Sequence, residues 1–286
     1  MAAQRDLRTD PYSEDRVYVV GSRQARPNLP SRGCPFCPGG LEAPEPYDVR
    51  WFRNRWPAMT GDRCEVVLYT PDHDATFSSL GIDGARRVVD LWAARTAELG
   101  ARADVDYVLV FENRGPEVGA TIPHPHGQIY AYDHVPARPG RLLANGWVPD
   151  DGPGERHVHR IDGWRAWVPN APVFPIAITL APEQQVPDLP SLDDAGRAGL
   201  AHMLVDVLGA LDRLWDRAMP YMLWINQRPS DGDAWPGAWL SIEVVSPWRA
   251  AGVQRFIAAA EVGGGEYFNP VIPEVLAEQL RAVLEH

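Results

Sequence analysis

The chain has 286 residues, 45% of them hydrophobic, enough for one large core or two modest ones. Its 38 acidic and 27 basic side chains give a formal charge of −11, which argues against the basic face of a nucleic-acid binder but leaves room for a nucleotide site built from a few local cations. Three cysteines make no disulfide framework, the start MAAQRDLRTDP has no apolar signal core, and no apolar run approaches the ~20 residues of a membrane span. A soluble cytoplasmic protein with no membrane partner is expected.

In chain order, Asp10-Pro11 starts a turn, Val17–Val20 is a strand, and Arg23 and Arg26 follow in a loop. Gly33-Cys34-Pro35-Phe36-Cys37-Pro38-Gly39-Gly40 is a tight knuckle that can present two thiolates to one metal. A closed tetrahedral zinc site needs two more ligands, and His73 and His124 are the candidates. Cys64 matches no such pattern and reads as a core thiol. Residues 49–59 read as a strand with an exit turn, and residues 63–70 as the next strand. A helix over 82–99 is predicted from Val88, Val89, Leu91, Trp92 and Leu99, with Asp83 as its cap. The strand Tyr107–Phe111 delivers Asn113 just past its end.

His124-Pro125-His126-Gly127-Gln128 comes next. In an extended segment residues two apart share a face, so His124, His126 and Gln128 point together. Pro125 favours extended geometry, and Gly127 would let a ligand approach the backbone. Imidazole can serve as metal ligand, base or nucleophile near neutral pH, and a carboxamide can hold a phosphoryl oxygen without adding charge.

Residues 133–156 are dense in Pro, Gly and charge and read as a linker. Strands at 165–169 and 173–180, an amphipathic helix within 193–218, strands at 220–229 and 239–248, a helix start over 253–261 and a helix over 273–284 follow. The second half thus repeats the order of the first.

The stretch FENRGPEVGATIPHPHGQIYAY, Phe111–Tyr132, resembles the active-site signature of the galactose-1-phosphate uridylyltransferases of the histidine-triad superfamily. The likeness is sharp over residues 8–132 and looser after 157. It implies an α+β fold of two histidine-triad-like halves, antiparallel sheets with flanking helices, with an N-terminal catalytic half at 1–140 and a C-terminal half at 157–286. It also implies one structural zinc held by Cys34, Cys37, His73 and His124. A homodimer whose active site is completed across the interface is implied as well.

By the same resemblance, His126 attacks the α-phosphorus of a UDP-sugar, hexose 1-phosphate leaves, and a second hexose 1-phosphate takes the UMP from the histidine. The other ring nitrogen of His126 must then donate, most naturally to a backbone carbonyl. Gln128 and Asn113 would stabilise phosphoryl oxygens, Thr121 the sugar phosphate, and Arg23 and Arg26 the nucleotide charge. Asn54 would line the uridine pocket, and Glu261 would face the hexose. Gln128 in place of the third histidine of the superfamily's hydrolases points to transfer.

Three departures stand against this. Arg55 replaces a residue that is acidic in some relatives. Tyr267 or Phe268 replaces a hexose-facing Gln. Asn226, Ser241 and Glu243 stand where several relatives hold a second metal, so none is expected. The alternatives are an ADP-sugar phosphorylase or other nucleotidyltransferase of specialised metabolism on the same scaffold, and a non-catalytic zinc- and nucleotide-binding protein.

Overall fold

The computed structural model describes residues 7–21, 23 and 33–285. A small ribbon, β1 (Leu7–Thr9) with β2 (Arg16–Tyr18), precedes the first half. That half is β3 (Arg50–Arg53), β4 (Cys64–Leu68), α1 (Gly81–Gly100), β5 (Tyr107–Arg114) and β6 (His126–Tyr132). Then come α2 (Ala137–Ala144) and β7 (His157–Ile161). The second half is β8 (Trp164–Trp167), β9 (Ile176–Pro182), α3 (Asp194–Arg213), β10 (Tyr221–Asn226) and β11 (Ser241–Ser246). β12 (Trp248–Ala250) and β13 (Val253–Gln254) form a second ribbon before α4 (Ala259–Gly264) and α5 (Pro273–Leu284).

Nine strands make one antiparallel sheet in the order β3-β4-β6-β5-β10-β11-β9-β8-β7. The fold is therefore α+β as expected, but the two halves share a single sheet, joined at β5 and β10 by pairs running from Phe111↔Trp224 to Arg114↔Tyr221. The second half mirrors the first strand for strand. Gln128 lies between Val66 and Phe111, and Glu243 lies between Thr179 and Trp224. Gln128 is thus the counterpart of Glu243, Gly127 of Ile242 and His126 of Ser241.

Both twenty-residue helices, α1 and α3, pack on one face of the sheet in a common core that includes Trp92, Val89, Leu200, Leu204 and Leu208. Strict alternation along β6 places Gly127, Ile129 and Ala131 beneath the helices and turns His126, Gln128 and Tyr130 to the opposite face. α3 is capped by Asp193, whose side chain accepts from the Gly196 amide at 2.7 Å.

Several sequence expectations are corrected. Asp83 does not cap α1: the N-cap is Leu80, with no side-chain bond, and Asp83 sits in the first turn, where its charge suits the helix dipole. β5 extends through Asn113 instead of ending before it. Residues 133–156 contain α2, because Pro139 falls in the first turn, where a missing N–H leaves no intrahelical bond unmade. Residues 253–258 are not helical, since β13 precedes α4. His157 and His159 lie half-buried on β7, within a stretch whose strand the sequence does not announce, and His159 Nε2 bonds Asp206 of α3 at 3.0 Å.

Candidate active site

The knuckle after Gly33 folds against the start of β6 and brings Cys34, Cys37, His73 and His124 together, with all four ligand atoms within 4.8 Å of one another. Cys37 Sγ lies 3.5 Å from His73 Nδ1 and 3.6 Å from His124 Nδ1. Ligands of one tetrahedral zinc, at ordinary zinc–sulfur and zinc–nitrogen distances, stand roughly 3.5 Å apart. The residues therefore fit a metal ion.

His124 is fully buried, and its Nε2 donates to the Thr70 carbonyl at 2.8 Å, which turns the lone pair of Nδ1 toward the cluster. Burial holds its pKa below the usual histidine value, favouring the neutral, ligating form. Burial pushes the Cys37 thiol up, with Cys34 adding to the effect, and a dication is what would ionise both. Tyr47 braces the arrangement: its hydroxyl is 2.9 Å from His124 Nε2, between the Phe36 and Thr70 carbonyls.

His126 begins β6 two residues later. Its Nδ1 donates to the His124 carbonyl at 2.8 Å, as the sequence reading requires. With the proton on Nδ1, the lone pair of the neutral ring is on Nε2. The ring rests on the edge of Phe36, centroid to centroid 5.0 Å. Gln128 follows on the same face, and its Oε1 accepts from Asn54 Nδ2 at 3.3 Å, while Asn54 Oδ1 accepts from the Trp56 amide at 2.8 Å. The carboxamide is thus oriented from the turn that follows β3, two strands away. His126, Gln128, Asn54, Trp56 and Thr121 line one cavity of about 700 Å³ floored by the knuckle, large enough for a nucleotide sugar.

Gly127 serves a different purpose from the one expected. Its missing Cβ would meet the Tyr69 hydroxyl at 2.2 Å, on the helix side of the sheet, away from the cavity. A phenol, not a ligand, makes the close approach.

The whole chain can be compared with known proteins. It is 33% identical to the galactose-1-phosphate uridylyltransferase of Thermotoga maritima over 96% of its own length and 98% of that protein's. The chain belongs to the galactose-1-phosphate uridylyltransferase family. Residues 54–136 match the family model of the galactose-1-phosphate uridyl transferase N-terminal domain. The Streptomyces lividans uridylyltransferase is 38% identical over 75% of this chain and 67% of its own. A solved structure described as that of uridylyltransferase superposes with a TM-score of 0.88 at 28% identity, covering 98% of both chains. An ADP-glucose phosphorylase from Arabidopsis thaliana shares the fold, with a TM-score of 0.75 at 22% identity and coverage of 97% of this chain and 99% of that one.

Not every residue expected in this family's site is brought to the cavity. Asn113 faces the same side as Phe111 and Gln128 but does not line it. Arg23 is half-buried and lies near Cys64, and Arg26 falls outside the described residues. Glu261 is buried in its own segment: its carboxylate pairs with Arg255 and accepts from the amides of Ala258 and Phe268, both at 2.9 Å.

Asn226, Ser241 and Glu243 do come together, and a guanidinium joins them. Arg138 of α2 donates to Glu243 at 2.7 and 2.5 Å, and Glu243 also accepts from Asn226 Nδ2 at 2.9 Å and Trp224 Nε1 at 3.2 Å. Sequence reasoning missed Arg138, Tyr47 and Tyr69, for none lies in a motif. Among the described residues, no helix is long and apolar enough to cross a membrane.

Proposed function

We infer that this enzyme moves UMP between a UDP-hexose and a hexose 1-phosphate, with His126 as the nucleophile. The observation that carries the reading is the His124 carbonyl holding His126 Nδ1 at 2.8 Å at the edge of a nucleotide-sized cavity shared with Gln128. The lone pair on Nε2 attacks the α-phosphorus, the Nε2–P bond forms as the bond to the hexose 1-phosphate oxygen breaks, and the hexose 1-phosphate departs. A second hexose 1-phosphate reverses the step through its own phosphate oxygen. Gln128, its oxygen occupied by Asn54, has its amide hydrogens for the phosphoryl oxygens, and Thr121 contributes its hydroxyl. Asn113, Arg23 and Arg26 are assigned to phosphate binding by resemblance.

The four-ligand cluster suits one zinc ion with a structural role, because a closed set leaves no position for substrate. Cys34, Cys37, His73 and His124 would hold it. Bound there, it would fix the His124 peptide, whose carbonyl accepts from His126 Nδ1 and so sets the tautomer of that ring.

A homodimer completes the site in this reading. Phe256, Val262 and Phe268, 73%, 73% and 68% exposed, leave the segment around Glu261 with an apolar surface that a second copy would cover. The residues around Glu261 would then face the hexose from across that interface, with the Glu261–Arg255 pair bracing their segment. We place the catalytic half at 1–140 and the second half at 157–286.

Incubation with UDP-glucose or ADP-glucose without acceptor, followed by intact-protein mass spectrometry, tests the assignment. A uridylyl adduct absent from His126→Ala is the expected result. An adenylyl adduct would make the donor an ADP-sugar. Nucleotide binding without an adduct from either donor would remove His126 as the nucleophile for both.

A further inference from the structure

Directly behind the His126–Gln128 pair, on the helix side of the sheet, the core holds a carboxyl that the reaction above does not use. Glu112 of β5 is 4% exposed. Its Oε1 accepts from the Tyr221 hydroxyl at 2.7 Å. Its Oε2 and the Tyr69 hydroxyl are buried with no hydrogen-bond partner among the described residues, and the carboxyl and the phenol lie close enough to perturb one another's ionisation. Tyr69 is wedged edge-on against Phe77 and Trp92 at 5.5 and 5.8 Å. Its hydroxyl stands where a Cβ on Gly127 would be, and its amide donates to the Pro125 carbonyl at 3.4 Å. A chain of contacts thus runs from Glu112 through the Tyr69 phenol to the backbone on both sides of His126.

The second half supplies an internal control. Across the seam, Phe111 pairs with Trp224, so Glu112 corresponds to Ile225, and Gly127 corresponds to Ile242. Both isoleucines are fully buried and apolar. A buried carboxyl is costly and an apolar residue serves this fold position well, so packing alone does not call for Glu112. The polar pair stands only behind the strand that carries His126.

We propose that Glu112 is a positioning residue for nucleotidyl transfer: through the Tyr69 phenol it holds the Gly127 backbone and thereby the His126–Gln128 pair in register with the substrate. The proposal rests on His126 being the nucleophile. The groups that face Glu112 are Tyr69 from the end of β4, Tyr221 from β10 and Arg114 from β5, the last paired to Asp212 of α3 at 2.8 Å. Burial raises the Glu112 carboxyl to about 7, against the lowering effect of these partners. The charge that Glu112 presents to the Tyr69 phenol therefore changes near neutral pH, from that of a carboxylic acid to that of a carboxylate.

The test is single-turnover adduct formation from UDP-glucose by wild type, Tyr69→Phe, Glu112→Gln and Glu112→Leu, from about pH 5.5 to 8.5. Tyr69→Phe is expected to slow transfer roughly tenfold and Glu112→Leu roughly 10- to 100-fold, with half-saturation by donor changed less than about twofold, since small misplacement of a reacting group costs rate more than binding. Glu112→Gln keeps the shape and is expected to restore the rate to within about threefold at pH 6 while losing one ionisation that the wild type shows near pH 7. Thermal melts identify a variant that fails to fold. Should Glu112→Leu be one, the other two decide the matter. Wild-type rates and an unaltered pH profile in both Tyr69→Phe and Glu112→Gln would overturn the proposal.

If the wild type forms no adduct with any donor, the transfer reading falls, and the positioning claim is read separately. Histidine-labelled protein, with the His126 ring signals identified by His126→Ala, would show those signals shifted in Tyr69→Phe and Glu112→Gln if the contact chain sets the ring. Unchanged signals would refute it.

Discussion

The two halves use the same framework for opposite ends. Between the strands of Val66 and Phe111, β6 presents His126 and Gln128 to a cavity of about 700 Å³. Between the strands of Thr179 and Trp224, β11 presents Ser241 and Glu243 to α2, where Arg138 pairs with Glu243. One half keeps polar groups oriented but open to a ligand. The other engages its carboxylate internally, with Asn226, Trp224 and Arg138 all donating to Glu243. The lesson is that the fold supplies strand geometry twice, and side-chain pairing decides which copy can do chemistry.

The sharpest way to break the comparison is to exchange the central residues for alanine one half at a time. His126→Ala is expected to lower adduct formation by roughly 10⁴-fold or more, while Ser241→Ala leaves it unchanged, both read by intact-protein mass spectrometry. Loss of the adduct in Ser241→Ala would show that the second half also takes part. Next in size is the metal cluster, present in the first half alone among the described residues. Cys37→Ser should abolish stoichiometric zinc in elemental analysis and lower the melting temperature by roughly 10 °C. A metal-free wild type that melts no lower would remove the structural role.

Glu112 and Ile225 make the third contrast. The carboxyl is raised from 4.5 to about 7 in the folded state, so the native protein holds a proton that the unfolded chain has lost between those values. Stability should accordingly fall as pH rises from about 4.5 to 7, by on the order of 3 kcal/mol, and Glu112→Gln should flatten that part of the profile in urea titrations. An identical slope in the variant would mean the carboxyl is ionised throughout. Gly127→Ala comes next: displacing the Tyr69 hydroxyl should cost about 1–3 kcal/mol and slow transfer, whereas the counterpart Ile242 already carries a side chain without conflict. The smallest effect belongs to Arg138→Ala. Its side chain is 53% exposed, so removal should cost about 1 kcal/mol or less and leave transfer intact.

Much of the first half was legible because its signals are local. The CxxC knuckle, the alternation of His124, His126 and Gln128, and the apolar spacing of α1 each sit within one element, where residue period reports the face. α5 was legible for the same reason, with Pro273 at its first position. The misses came where an element is too short to show a residue period and exists only through its pairing. β7 is a short edge strand whose identity depends on β8, and residues 253–254 become a strand only by folding back on Trp248 and Ala250. Pro and Gly in residues 133–156 concealed α2, because composition does not show which helix position a proline will occupy.

By itself the sequence determined the chemistry available: which residues can ligate a metal, which imidazole follows two residues later on the same face, and which carboxamide accompanies it. Those facts follow from side-chain type and strand period. Tertiary structure alone decided that the halves merge into one sheet, that Glu261 is bound within its own segment, that Arg138 neutralises Glu243, and that Glu112 lies buried against Tyr69 behind Gly127. All but the Glu261 contacts join residues far apart in the chain, and only packing determines which of many possible partners a buried polar group meets.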